Sequence, residues 1–331
     1  MKHKNNLYNR LKNKLIRTKA DILVATNNIL PVARYNSPSI IMYHGIAPRL
    51  SLELNFRHID PGIFEQHLLF LKRFTHVISI SDFFQGNFLP GKKNVAITFD
   101  DGYLNNYMYA VPLLEKHNTP ATIFFTGLNK TKYNILWSDL HDLVTLINQK
   151  TIVCNGHTFY KTKPGYLPYF NENGLGFHEY LKQCPLDQKM DILLNQKGIE
   201  TILQEETYFD YWKLMSDHQI YETSKIGNIE IGSHGYFHNN LGMVSEDQAL
   251  NELSESKIYL EELTKQKISS IAFPDGSYSL KVKEHALALG LTNQLAVNYL
   301  YDEDKLDNHI NERVGLYSYE TLSMQKIKMI R

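Results

Sequence analysis

Two pairs of residues carry the strongest chemical signal in this sequence. The first is Asp100–Asp101, adjacent carboxylates followed by Gly102. The second is His234 and His238, four positions apart in the run His-Gly-Tyr-Phe-His. Successive side chains of a strand point to opposite sides. Two neighbouring carboxylates at a strand end can therefore serve separate tasks, one holding a cation and the other taking a proton. Imidazoles spaced by four come to one side of a helical turn. With one carboxylate they make a two-histidine, one-carboxylate set that leaves positions open for water and substrate. Around Zn²⁺ such a set is hydrolytic, and around Fe(II) the same ligands would serve oxygen chemistry. The plain alternatives are an Asp-Gly turn and two surface histidines among the 14 in the chain.

The elements that must position these residues follow from the apolar pattern. Val95, Ile97 and Phe99 alternate with Asn94, Ala96 and Thr98, which predicts a strand ending at the Asp pair. Ser39–Tyr43 reads as a buried strand ended by His44-Gly45. Asp60 caps a helix with Pro61 at its first position and Phe64, Leu68 and Leu71 on its apolar face. Strands are expected at Val77–Ile80 and Pro120–Phe125, with a helix through Tyr107, Val111 and Leu114 between the Asp pair and the latter. Asn228–Ile231 is a strand leading into His234–His238. Ser245 and Gln248 form a capping box opening a long helix with Leu250, Leu253 and Leu260 inward. Ile268–Phe273 is a strand ended by Pro274-Asp275-Gly276. A helix through Val282, Ala286 and Leu289 stops at Gly290, and Leu295–Val297 and Val314–Tyr317 are the last strands expected.

Strand–helix alternation of this kind predicts a parallel sheet with helices outside, curled into a complete or incomplete barrel. His44, Asp100–Asp101, His234–His238 and Pro274–Gly276 each follow a predicted strand. In a parallel barrel those ends share one face, the face that builds active sites. Residues 129–225 break the alternation and are expected to be an insertion with its own helices, since a structureless loop of that length is improbable. Within it, Trp137, Leu140, Leu143 and Ile147 suggest a helix, and 155–176 read as Asn-, Gly- and Tyr-rich turns.

With 331 residues, 43% of them hydrophobic, the chain can bury a full core. Its formal charge of zero gives no global field for nucleic acid, so no such partner is expected. Cys154 and Cys184 form neither a disulfide framework nor a C-x-x-C metal site. Residues 1–36 are a basic amphipathic segment, with eight Lys and Arg against Asp21 alone and with Leu7, Leu11 and Leu15 striping one face. Such a segment suits peripheral contact with an anionic membrane surface, or a solvated cap on the domain that follows over 37–331. There is no convincing signal peptide and no apolar run of the roughly 20 residues a membrane span needs. The expected location is cytoplasmic or peripheral at the inner membrane face. Oligomeric state does not follow from the sequence.

Thr98-Phe99-Asp100-Asp101-Gly102, with His234-Gly235-Tyr236-Phe237-His238 in order behind it, resembles the polysaccharide deacetylase family, also called the NodB-homology or carbohydrate esterase family 4 group. The resemblance runs over residues 38–317 and is weakest across 129–225. It implies an α/β fold, a distorted (β/α)7 barrel with a large insertion. It also implies that Asp100 is the general base and that Asp101, His234 and His238 hold a divalent metal, Zn²⁺ first, with Co²⁺ or Ni²⁺ as alternatives. Phe273-Pro274-Asp275-Gly276-Ser277-Tyr278 resembles the family's Pro-x-Gly motif at the acetyl pocket. That likeness implies substrate or oxyanion roles for Pro274, Asp275 and Tyr278, with a backbone N–H near Asp275 as donor. Two departures stand out. The Leu-x-His segment that supplies the general acid in many members is missing near the end of the chain. Met42-Tyr43-His44 resembles instead the first-strand motif of a circularly permuted branch acting on exopolysaccharide poly-N-acetylglucosamine, which makes His44 the acid. Ala272 and Phe273 also stand where some members carry an arginine that steers the base.

The expectation is a metal-dependent hydrolase of non-peptide C–N amide bonds, removing acetyl groups from N-acetylated sugars of a bacterial polysaccharide or glycoconjugate. Protonated His44 would donate to the leaving amine, giving a bell-shaped pH profile. The rival readings are a glycan-binding homologue that has lost turnover and an O-acetyl esterase using the same site. The insertion is expected to shape the substrate groove.

Overall fold

Strand β3 (Lys93–Phe99) is buried at every position, because both of its faces are covered. Val95, Ile97 and Phe99 face outward into the main apolar cluster, which includes Phe64, Leu68 and Leu71 of helix Pro61–Phe74. Ala96 faces the other way, into a smaller cluster with Ile40, Phe124, Ala272 and Leu295. The period-2 alternation of the sequence is thus a sheet with an inner and an outer apolar layer. The structure is a computed structural model and describes residues 14, 16–24, 37–48, 54, 56–147, 150–161 and 169–330.

The main sheet is parallel throughout. β1 (Ser39–Tyr43) pairs with β3, Tyr43 opposite Phe99, and β2 (Thr75–Ile78) pairs with the first half of β3. β4 (Ala121–Phe125) takes over from β2 along the second half of β3. Beyond the insertion come β8 (Ile229–Ser233), β9 (Ser270–Ala272), β10 (Asn293–Ala296) and β11 (Ile310–Glu312), each beside the one before, with β8 on β4. β12 (Val314–Gly315) then pairs with β1. Since β11 and β12 are separated only by Arg313, one short segment joins the two edges of the sheet. The result is a nearly closed α/β barrel whose staves are β1, β3, β4, β8, β9, β10 and the β11–β12 segment, with β2 as an extra strand.

The expected caps are present. Asp60 accepts from the N–H groups of Gly62 and Ile63 ahead of helix Pro61–Phe74. Ser245 and Gln248 close a reciprocal capping box at helix Glu246–Thr264, although Ala249 rather than Leu250 takes the first buried position. Strand bounds shift: Ile268–Phe273 shortens to Ser270–Ala272, Leu295–Val297 becomes Asn293–Ala296 and Asn228–Ile231 becomes Ile229–Ser233. The segment read as Val77–Ile80 is Thr75–Ile78, because Ser79 caps a short helix, Ile80–Gln85. Val314–Tyr317 shortens to Val314–Gly315, and β11 is a strand the periodicity did not mark.

Residues 128–214 build a second apolar cluster around Trp137, Leu140, Phe159, Phe177, Met190 and Leu193. Helices Trp137–Leu146, Phe177–Lys182 and Leu186–Leu194 belong to it. So does a small antiparallel sheet of β5 (Thr151–Cys154), β6 (His157–Lys161) and β7 (Tyr169–Phe170). Of the turns expected over 155–176, those at 155–156 and 172–174 are present, 157–161 and 169–170 are strands of that sheet, and 162–168 lie outside the described residues. Of the basic N-terminal segment, Leu7, Leu11 and Leu15 lie outside the described residues. Residues 16–24 are helical, and Ala20, Leu23 and Val24 pack on the main core. Among the described residues, no helix is long and apolar enough to cross a membrane. Cys154 and Cys184 are free thiols.

Candidate active site

Parallel strands deliver the polar clusters to one end of the barrel. The Asp100 N–H donates to the Tyr43 carbonyl at 3.0 Å, extending the β1–β3 ladder by one bond. The chain then turns sharply, with Asp101 at φ 75° and Gly102 at φ 72°. Aspartate tolerates this left-handed region better than most residues, and at Gly102 a Cβ would sit 2.7 Å from the Phe125 ring. At the end of β8 the His234 N–H donates to the Phe125 carbonyl at 2.8 Å. The loop that follows reaches His238 through two left-handed residues, Gly235 and His238 itself at φ 54°.

The far-apart residues meet. Asp101 Oδ1 lies 3.4 Å from His234 Nε2 and 3.2 Å from His238 Nε2, with all three side chains buried. These three are the one Asp/His/Cys/Glu group among the described residues whose ligand atoms converge closely enough to share a metal ion. His234 Nδ1 pairs with the Ala272 carbonyl at 2.7 Å. A carbonyl only accepts, so Nδ1 carries the hydrogen and Nε2 is the nitrogen facing Asp101, able to donate a proton to it in the metal-free chain or, once deprotonated, to offer a lone pair to a cation. Electron-pair donors facing one another this way need a positive charge between them. The donor set therefore fits a divalent cation.

In the metal-free chain a proton on the imidazoles supplies that positive charge. Burial works to raise Asp101, but hydrogen bonds to His234 and His238 hold its carboxyl well below the ordinary 3.8. Burial likewise pulls His234 down, but Asp100 and Asp101 outweigh it, and the imidazole ends above its ordinary 6.5.

Asp100 is held by Arg313, with Nη1 to Oδ1 at 2.7 Å and Nη2 to Oδ2 at 2.8 Å. Arg313 Nη1 also reaches Thr98 Oγ1 at 3.3 Å. Burial would raise Asp100, but the guanidinium, aided by His234 and His44, keeps the carboxyl below its usual range. The arginine absent from the β9 end is thus supplied by the segment that closes the barrel. Nothing in the sequence singled it out.

One cavity of about 490 Å³ is lined by His44, Asp100, Asp101, His234, His238 and Asp275, with Met42, Phe273 and Val297 as apolar neighbours. His44 is in place, but burial pulls it down to about 4 against the opposing pull of Asp101 and Asp100. That favours the neutral imidazole at pH 7 in the metal-free chain. Asp275 takes a left-handed turn (φ 53°), and its carboxylate accepts from Asn240 at 2.9 Å and lies 3.3 Å from the Lys182 ammonium. Pro274 and Tyr278 are buried and do not line the cavity; the Tyr278 hydroxyl donates to Asp304 and accepts from the Leu300 N–H.

Residues outside the predicted set also shape the site. Arg57, His141, Asp142, His178 and Glu179 line the same cavity. Arg57 pairs with buried Asp139 at 2.9 Å. Glu252, on helix Glu246–Thr264, accepts from the Phe237 and Asn239 N–H groups at 3.1 and 3.0 Å, and from Asn239 Nδ2 at 3.0 Å. It thereby brackets His238 on both sides. A Cβ at Gly235 would fall 2.6 Å from Glu252 Oε1, so glycine is required there by contact as well as by φ. Trp137 Nε1 donates to the His238 carbonyl at 3.3 Å and braces the loop from the other side.

A family model described as polysaccharide deacetylase matches residues 89–213 and 207–294. YxkH of Bacillus subtilis (strain 168), which carries a provisional polysaccharide-deacetylase name, is 36% identical over 92 residues. That match spans 27% of this chain and 31% of YxkH, less than a third of the relative. The Streptococcus pyogenes deacetylase PplD, solved in complex with acetate, is similar in structure with a TM-score of 0.57 at 18% identity, over 89% of this chain and 98% of PplD. IcaB from Ammonifex degensii is similar with a TM-score of 0.52 at 15% identity, over 89% of this chain and 99% of IcaB. At these identities the structural likeness speaks to the fold.

Proposed function

The chain belongs to the polysaccharide deacetylase family, and from that footing we propose that it is a metal-dependent hydrolase removing acetyl groups from N-acetylated sugars of a bacterial glycan. The observation that carries this reading is the convergence on one cavity of Asp101, His234 and His238 beside a separately held carboxylate, Asp100. Those three residues would hold the cation, Zn²⁺ by preference for such a donor set. When bound, the cation supplies Lewis-acid polarisation of the acetyl carbonyl and lowers the pKa of water.

The rest falls to the chain's own residues. Asp100, fixed in orientation by Arg313, takes the proton of the attacking water and thereby makes it a nucleophile. The backbone N–H at Asp275 donates to the developing oxyanion. The leaving nitrogen needs a proton, since an amide anion departs poorly. His44 delivers it, and being neutral at rest it first receives the proton that Asp100 took from water. Met42, Phe273 and Val297 offer the acetyl methyl an apolar wall. The Met-Tyr-His placement of His44 favours the poly-N-acetylglucosamine-type branch.

The test is release of free amine and acetate from N-acetylated chito-oligosaccharides, with and without chelator. Chelator-sensitive release that is lost in Asp100→Asn supports the assignment. Metal binding with no release from any N- or O-acetylated glycan would replace it with a binding role.

A further inference from the structure

Three aromatic rings stand together at the mouth of the cavity. Phe56 and Tyr317 line it directly, and Tyr319 packs against both rings. Ring centroids are 5.7 Å apart for Phe56–Tyr317, 5.7 Å for Phe56–Tyr319 and 5.4 Å for Tyr317–Tyr319, the last pair nearly parallel at 8°. The cluster joins loops from opposite ends of the chain. The Ser318 N–H and hydroxyl both donate to the Phe56 carbonyl, at 2.8 and 2.9 Å. Tyr317 is held further by the Lys328 ammonium, 5.2 Å from its ring centroid, which is itself paired with Glu320 at 2.8 Å. At Gly315 a Cβ would come within 2.5 Å of the Tyr317 hydroxyl, so glycine there leaves room for the end of that side chain.

Although tied down in this way, two of the rings stay open to solvent: Phe56 is 38% exposed and Tyr319 53% exposed. Single exposed hydrophobics are ordinary. Three contacting rings, locked by backbone bonds and continuous with a cavity that holds a candidate metal set, form a preorganised binding surface. Elsewhere the cavity wall carries imidazoles and carboxylates, with His141, His178, Asp142 and Glu179, rather than exposed flat rings.

We propose that Phe56, Tyr317 and Tyr319 form a stacking platform for a pyranose ring of the glycan, at least one sugar away from the residue whose acetyl group is removed. The proposal rests on the glycan reading above. A pyranose presents C–H groups on its face and hydroxyls around its edge, so its face packs on an aromatic surface while the edge stays in water. At about 490 Å³ the cavity is in the range that buries one drug-sized ligand. A longer glycan must leave through the mouth, where these rings stand. The platform thus confers a preference for chain length, separate from the chemistry of hydrolysis.

The test uses the full chain with Tyr319→Ala, an exposed position outside the cavity lining and the catalytic set, with N-acetylglucosamine oligomers of one to five units as probes. With Zn²⁺ added, KM for the tetramer and pentamer rises about tenfold, while kcat for all lengths and KM for the monomer and dimer stay unchanged. In the metal-free chain, calorimetric affinity for the pentamer falls by a similar factor. Equal KM changes at every length, no change at any length, or no pentamer binding by the wild-type chain would overturn the platform. Platform-dependent binding without amine release from the wild-type chain would instead overturn the hydrolase reading and leave the platform standing.

Discussion

Arg313 and Asp100 form a two-bond ion pair across 213 positions of sequence, at 2.7 and 2.8 Å, with both side chains almost wholly buried. The pair joins the end of β3 to the residue that separates β11 from β12. One contact therefore ties barrel closure to the orientation of the proposed base.

Removing the guanidinium leaves the buried carboxylate without its two-bond partner. Arg313→Ala is expected to lose about 3–5 kcal/mol of stability at neutral pH, as when one member of a buried pair is deleted. Asp100 has a lowered folded value, so its contribution is present above the unfolded value and lost as pH falls through the folded one. In the variant the folded value rises, and the acid limb of the rate profile moves to higher pH. Urea titrations together with pH–rate curves check both effects.

Glu252 touches no proposed ligand side chain, yet its carboxylate anchors the backbone on either side of His238. Glu252→Leu is expected to weaken Zn²⁺ binding by about 10- to 100-fold, the usual cost of losing such an outer partner. Glu252→Gln should retain most of the affinity. Asn239 Oδ1 has no partner, so a flipped Asn239 amide can accept from the new Gln amide. Competition titration with a chromophoric chelator reads this difference.

Metal loading depends on pH in a stated direction. His234 sits above its ordinary 6.5, so protons compete with the cation from a higher pH than for an unperturbed histidine. Affinity is expected to fall about tenfold per unit on acidification below that raised value, one proton being displaced. The metal-free chain behaves oppositely. The stability from protonated His234 is fully present below 6.5 and is lost as pH rises through the folded value. Thermal melts across pH 5–9, with and without Zn²⁺, should therefore diverge as pH increases.

His44 is neutral at rest, since burial holds it at about 4. At saturating metal, kcat is accordingly expected to stay level from about pH 7 to 9 instead of tracing the bell of a histidine near 6.5. His44→Ala should lower kcat by about 10²- to 10⁴-fold at all these pH values. A basic limb with its midpoint near 6.5 would contradict the relay from Asp100.

The parts of this site legible in the sequence are those carried by local pattern. Alternation through Val95, Ile97 and Phe99, and apolar runs before His44, His234 and Pro274, mark strand ends, and parallel strands put such ends on one face. Arg313 was not legible, because β11 before it has only three residues and left no periodic trace, so the arginine fell just outside the strand expected from Val314. Glu252 lay on a helix that was expected, but its partners are backbone N–H groups of a loop, which side-chain patterns do not record. The β5–β7 sheet is built of short strands, with β5 and β6 joined through Asn155-Gly156, so composition read as turn. Tyr278 follows the Pro274–Gly276 turn in sequence, yet its hydroxyl points to Asp304, a partner 26 positions on.

The central claim is that Asp101, His234 and His238 together hold one cation. Elemental analysis of the purified chain beside its Asp101→Asn variant tests it most directly. About one equivalent of divalent metal in the wild-type chain, and a large loss in the variant, is the predicted result. A variant that retains the full wild-type metal content would contradict the assignment.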